Sequence, residues 1–184
     1  MGKLYDALTP DLRAFIEAQK MFFVGTSPLA AEGHVNISPK GMDSLRILDD
    51  RTLAYLDVTG SGVETISHIR ENGRLVIMFC AFEGSPLILR LHGRGEVLER
   101  GSAEFDAHIG KFPALPGIRS IIVLRAFRIA DSCGWNVPLY EFSGMRDYYD
   151  NYAEKLGEEG MRKGQLASNM KSIDGLPGLT RPSF

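Results

Sequence analysis

The number and length of the strand-like segments limit most strongly what this chain can fold into. About six short apolar segments, each closed by a turn, fit the pattern of β-strands; they cover residues 21–26, 35–38, 53–58, 75–82, 87–98 and 118–129. The helical patterns between them are short. Because parallel strands need long, usually helical crossovers, this pattern argues against a doubly wound parallel sheet. We therefore predict a mainly β fold, a six-stranded antiparallel Greek-key barrel with peripheral helices.

Length and composition indicate one barrel domain with an appended segment. With 184 residues, of which 44% are hydrophobic, the chain suffices for one domain with a real core. From Met145 onward the pattern becomes polar and helical. We predict a barrel domain over residues 1–140 and a helical C-terminal extension over residues 141–184.

Charge and cysteine content narrow the classes of partner. A formal net charge of -2 gives no reason to bind nucleic acid or an anionic membrane. No apolar run is long enough to span a bilayer, and the first residues lack a signal core. The 2 cysteines are too few for a disulfide framework, which favours a reducing compartment. We expect a cytoplasmic protein that binds neither nucleic acid nor membrane.

Common catalytic and metal-binding motifs are missing from the chain. The 4 histidines are scattered without the spacing of metal ligands, so we expect no metal site. Neither a Gly-x-Ser-x-Gly elbow nor an HExxH motif is present. A hydrolase or a metalloenzyme therefore has no positive support in the sequence.

Two segments carry the residues best suited to bind a ligand. In residues 34–41, a strand-like run brings a hydroxyl, a rigid Pro and the cation Lys40 together. In residues 57–65, a strand ends in the turn Gly60-Ser61-Gly62 and leads into a helix. Such a turn before a helix often holds phosphate, because its free N–H groups point at the anion. From the residues alone, a solvated lysine and a plain tight turn remain open alternatives.

Together with the strands around them, these segments resemble the flavin-binding split barrel of the pyridoxamine 5'-phosphate oxidase family. The resemblance covers roughly residues 22–129. It implies a split barrel, a homodimer with FMN at the dimer seam, and FMN-dependent oxidation or reduction of a small molecule. Lys40 stands where the family has a lysine at the end of the strand along the flavin. We name no catalytic residue, because the flavin supplies the hydride or electron transfer.

The resemblance also implies the residues that bind the cofactor. They are Asn36, Ser38, Pro39, Lys40, Asp57, Thr59, Gly60, Ser61, Thr65, Arg90 and Trp135. Two of them have open alternatives. Arg90 could instead pair at the surface with Glu96 or Glu99, and Trp135, the single tryptophan, could simply plug one end of the barrel.

The chain departs from the family pattern in two places. Where the family has Ser-Arg-Lys after the glycine turn, this chain has Val63-Glu64-Thr65, and a Glu beside a phosphate is repulsive. Either Glu64 points away, or the phosphate is held differently. The Arg-x-His pattern of the family's substrate site is also absent, so we do not expect a typical pyridoxamine 5'-phosphate oxidase. A non-catalytic flavin- or haem-binding protein and a deazaflavin-dependent reductase remain the alternatives.

Overall fold

One curled antiparallel sheet forms the framework of the protein. The structure is a computed structural model, and the description covers residues 2–183. The strands are Leu4–Tyr5 (β1), Phe22–Thr26 (β2), Asn36–Lys40 (β3), Leu45–Ile47 (β4), Thr52–Val58 (β5), Arg74–Cys80 (β6), Ile88–Glu99 (β7) and Ile118–Ser132 (β8). Their order in the sheet is β3-β2-β6-β7-β8-β5-β4, and β1 pairs with β8.

Four helices flank the sheet within the described residues. They are Pro10–Ala18 (α1), Glu64–Asn72 (α2), Ala103–Ile109 (α3) and Tyr148–Ser168 (α4). Side chains cap the N-termini of α1 and α3: Thr9 Oγ1 accepts from the Leu12 N–H, and Ser102 Oγ accepts from the Phe105 N–H. Gly73, at φ 68°, ends α2 in the left-handed conformation that glycine adopts most easily.

The predicted mainly β barrel with peripheral helices and a helical C-terminal segment is confirmed. The sheet has two strands more than predicted, β1 and β4, which are only 2 and 3 residues long. A bulge was predicted near Gly93, and the β7–β8 register does shift between His92 and Gly93. The extra residue lies on the opposite strand: His92 pairs with Arg128 and Gly93 with Ala126, so Phe127 has no partner.

The two faces of the sheet differ in what covers them. The inner face carries the main core, which includes Phe22, Val24, Leu53, Tyr55, Ile77, Phe79, Leu89, Leu91, Ile122 and Leu124. On the outer face, Phe105 of α3 packs against Leu56 and Ile121. No helix in residues 2–183 is long and apolar enough to cross a membrane.

Another part of the outer face stays bare in this chain. Val35, Ile37 and Phe127, the outer patch, are 69%, 69% and 66% exposed. A continuous apolar surface of this kind is typical of a binding face.

The sheet ends at β3 on one side and at β4 on the other, and within residues 2–183 β4 pairs only with Leu53, Ala54 and Tyr55 of β5. The barrel is open between β3 and the uncovered end of β5, a gap that we call the split. These two strands share no backbone ladder in the described sheet. Side chains bridge the split instead, and most of the predicted ligand-binding residues lie along it.

Candidate functional site

Strand β3 presents its polar residues to the split. Asn36, Ser38 and Lys40 alternate with the exposed Ile37 and Pro39. Because successive side chains of a strand point to opposite faces, the polar three share one face. Their contacts with β5 and α2 show that this is the inner face.

A buried cluster of charges lies at one end of the split. Asp57, only 1% exposed, binds Arg119 through Nε at 2.7 Å and lies 3.8 Å from Lys40 Nζ. Ser120 Oγ donates to the same carboxylate at 3.0 Å. Burial alone would raise the pKa of Asp57, but the charges of Arg119 and Lys40 lower it below its ordinary value. Asp57 is therefore an ionised anchor for both cations.

A chain of hydroxyl and amide groups lies further along the split. Asn36 Nδ2 donates to Thr65 Oγ1 at 3.0 Å and to Thr26 Oγ1 at 3.3 Å, and Ser38 Oγ donates to Asn36 Oδ1 at 3.3 Å. The buried His68 bonds Thr26 Oγ1 through Nδ1 at 3.0 Å. Burial lowers the pKa of His68, so the ring is neutral at pH 7. These contacts tie β3 to the first turns of α2.

Side chains hold three carbonyl groups in and before the glycine turn, those of Thr59, Gly60 and Gly62. The hydrogen bonds run from Tyr149 Oη to Thr59 O (3.1 Å), from Asn169 Nδ2 to Gly60 O (2.9 Å) and from Arg119 Nη1 to Gly62 O (2.8 Å). The N–H groups of Gly60, Ser61 and Gly62 donate no hydrogen bond within residues 2–183. The turn thus combines occupied carbonyls with free donors, as an anion site requires.

Glu64 stays beside this turn. Its carboxylate accepts a hydrogen bond from the Ile173 N–H at 3.2 Å, and a Cβ built on Gly62 would lie 2.2 Å from Glu64 Oε2. The side chain therefore neither turns away from the glycine turn nor extends freely into solvent. The structure does not show the first of the two alternatives left open by the sequence, a Glu64 that points away from the turn.

Arg90 and Trp135 lie away from the groups that meet in the split. Arg90 pairs in register with Met78 on the bare outer face, and its guanidinium donates to Ser132 Oγ at 2.9 Å. Trp135 is 80% exposed and makes no hydrogen bond or ring contact with other described residues. In a single chain, neither side chain joins Lys40 and the glycine turn.

Sequence reasoning missed Arg119 and the contacts of the C-terminal segment. One signal for Arg119 was available, since a cation next to the apolar run of residues 121–124 needs a buried partner. Asn169 and Tyr149 carried no comparable signal. No group of three or more His, Cys, Asp or Glu side chains that could hold a metal ion occurs in the described part of the chain.

The fold and the split define the class of protein. A curled antiparallel sheet, open along one side and lined there by polar groups, is a split β-barrel. The model of the family described as pyridoxamine 5'-phosphate oxidase matches residues 8–133. The chain belongs to the pyridoxamine 5'-phosphate oxidase family.

Individual relatives agree with this assignment. The pyridoxamine 5'-phosphate oxidase family protein ustO of Aspergillus flavus is 36% identical over 196 residues, which cover 97% of this chain and 78% of that protein. A crystal structure of a HupZ variant from Group A Streptococcus is 26% identical, with a TM-score of 0.53 over 68% of this chain and 99% of that one. A FAD-binding protein from Mesorhizobium loti shares the fold at 13% identity, with a TM-score of 0.50 over 71% of this chain and 96% of that one.

Proposed function

We propose that the protein binds FMN in the split and uses it to oxidise or reduce a small molecule. The observation that carries the proposal is the glycine turn with its free N–H groups at the start of α2. Such an arrangement stabilises an anion through oriented backbone dipoles. Lys40, whose side chain is 23% exposed, is the cation of the split with access to solvent.

The residues of the split fit the phosphate group of FMN. A phosphate monoester carries about 1.5 to 2 negative charges at pH 7. Around Gly60 there is open space, since a Cβ there would meet no atom within 4 Å. Arg119 is not available as a clamp, because its guanidinium is committed to Asp57 and Gly62. The phosphate is therefore held by backbone N–H groups and Lys40, without the family's usual Arg-Lys pair.

The remaining candidates would bind the rest of the cofactor. Asn36, Ser38 and Thr65 offer hydrogen bonds to the ribityl chain or the ring. Pro39 lies on the opposite face of β3 and would offer a rigid apolar surface only at the dimer seam. When bound, FMN supplies the hydride or electron transfer. The protein's part is to bind, to orient and to exclude water, and for this reason we assign no acid–base residue.

We further propose that a second copy of the chain covers the outer patch. Pro39 and Arg90 lie on the same bare face as Val35, Ile37 and Phe127. A homodimer through this face would bring Arg90 to the dimer seam. The resemblance to the family implies that the flavin lies at this seam. Neither free cysteine, buried Cys80 nor exposed Cys133, has a disulfide partner, which supports a cytoplasmic location.

Flavin titration of the purified apo-protein tests the proposed function. The fluorescence of FMN should be quenched on binding, with a Kd of about micromolar or tighter. Riboflavin, which lacks the phosphate, should bind at least about tenfold more weakly. Lys40→Ala should weaken FMN by about 1.5–3 kcal/mol, the value of a charged hydrogen bond, and riboflavin by less.

Lys163→Ala is the matched control for this titration. That lysine lies on α4, pairs only with Glu159 and is 73% exposed, so its loss should change neither affinity. An FMN affinity no tighter than about millimolar would contradict the proposal. The absorbance spectrum of the protein as purified separates FMN from deazaflavin and haem.

A further inference from the structure

The end of α4 reaches the glycine turn from one side. Asn169 is fully buried and donates through Nδ2 to Gly60 O at 2.9 Å and to Gly62 O at 3.4 Å. Gln165, also fully buried, donates to Thr59 Oγ1 at 2.8 Å. Residues more than 100 positions apart in the chain therefore meet at this turn.

These contacts fix the direction of the peptide groups. In a trans peptide, the C=O of one residue and the N–H of the next point in opposite directions. Because Asn169 holds the carbonyl of Gly60, the N–H of Ser61 points away from the extension. Because Tyr149 holds the carbonyl of Thr59, the N–H of Gly60 also points away from the C-terminal extension.

We propose that Asn169 is a positioning residue that aims the N–H groups of the glycine turn at the cofactor phosphate, with Tyr149 in support. The inference rests on the proposed FMN site. It makes residues 141–184 part of that site, although they add no group that touches the cofactor.

The environment of Asn169 supports a role beyond packing. Its Oδ1 is buried and has no hydrogen-bond partner in the described structure, which disfavours a polar side chain at a merely structural position. Its Nδ2, by contrast, meets two carbonyl groups of the turn. The amide is therefore used mainly for the orientation of its donor group.

Asn169→Asp tests this role with little change in shape. A carboxylate would repel the carbonyl oxygens of Gly60 and Gly62, and the turn would change its conformation. We expect FMN affinity to fall by at least about tenfold and riboflavin affinity by less than about threefold. Tyr149→Phe, which removes only a hydroxyl, should lower FMN affinity by about three- to tenfold and leave riboflavin unchanged. If Asn169→Asp does not fold, Tyr149→Phe decides the question.

Leu179→Ala is the matched control. Leu179 is 3% exposed, lies in the same C-terminal segment and belongs to the main core. It should lower the Tm and leave the ratio of FMN to riboflavin affinity unchanged. Equal losses of both ligands in Asn169→Asp, or no loss of either, would overturn the positioning role. Failure of the underlying FMN site shows separately, as a wild-type protein that binds FMN no better than riboflavin.

Discussion

Asp57 is the residue on which the charges of the split depend. It is buried between Arg119 and Lys40, and the guanidinium of Arg119 is itself buried. Removing one partner of a buried ion pair leaves the other charge uncompensated, which costs about 3–5 kcal/mol. The pair thus links the stability of the barrel to the shape of the glycine turn, because the same guanidinium holds Gly62.

Asp57→Asn should change how stability responds to acid. The folded-state pKa of Asp57 is lowered, so its contribution is fully present above the unfolded pKa of about 3.9 and is lost as the pH falls through the folded value. We expect the variant to be about 3–5 kcal/mol less stable at pH 7 and to lose less stability than wild type below about pH 4. Urea unfolding across this range measures both effects.

Asp43→Asn provides the control for Asp57. Asp43 pairs with Arg46 at the surface and its side chain is 76% exposed, so its loss should cost less than about 1 kcal/mol. If the free energy of unfolding changed with pH in the same way in wild type and in Asp57→Asn, the buried carboxylate would not be linked to acid unfolding.

At the scale of elements, the N-terminus of α2 carries the departure from the family pattern that the sequence predicts. Glu64 lies beside the glycine turn and also accepts a hydrogen bond from the Ile173 N–H. A negative charge stabilises the N-terminus of a helix but repels a phosphate bound at the same place. The hydrogen bond from the Ile173 N–H, in the C-terminal segment, explains why this chain has a glutamate at position 64.

Glu64→Gln separates these two effects. The amide oxygen can still accept from Ile173, but the negative charge is gone. We expect FMN to bind more tightly by about 0.5–1 kcal/mol, with the gain shrinking in high salt, and riboflavin to bind as before.

Glu71→Gln, near the other end of α2, should leave both flavins unaffected, since Glu71 bonds the Leu29 N–H. Weaker binding of both flavins by Glu64→Gln would instead place Glu64 in contact with the ligand.

Local signals explain which elements were predictable. The helix predicted after the glycine turn is α2, from Glu64 to Asn72, and Gly73 marks its end. β1 and β4 were missed because two- or three-residue strands are too short to show an alternating pattern.

The site was predictable where its residues are local in sequence. Lys40 and Asp57 were both candidates, and the structure brings them within 3.8 Å of each other. Arg119 and Asn169 were not candidates, because their partners lie 62 and 109 positions away in the chain. Only the curling of the sheet and the return of the C-terminal segment bring these residues to their partners.

At the scale of the whole molecule, the outer patch predicts a dimer. A stable dimer buries on the order of 2,000 Å² or more in total, and Phe127→Arg would place a charge within that area. We expect the wild-type protein to sediment at twice the chain mass and Phe127→Arg to sediment as a monomer.

Leu166→Arg is the control for Phe127→Arg, since Leu166 lies on α4 and is 46% exposed. It should remain dimeric. A wild-type monomer at micromolar concentration that still carries cofactor would rule out the dimer.

Strand β3 is also the last strand at one end of the sheet. A free sheet edge is a template on which further chains can stack, and long-lived aggregates grow from such edges. Pro39, the fourth of the 5 residues of β3, has no N–H to offer an incoming strand, and Lys40 next to it adds charge. We therefore expect β3, the strand proposed to bind the cofactor, to resist the addition of further strands, so that the split can stay open without exposing an edge that seeds fibrils.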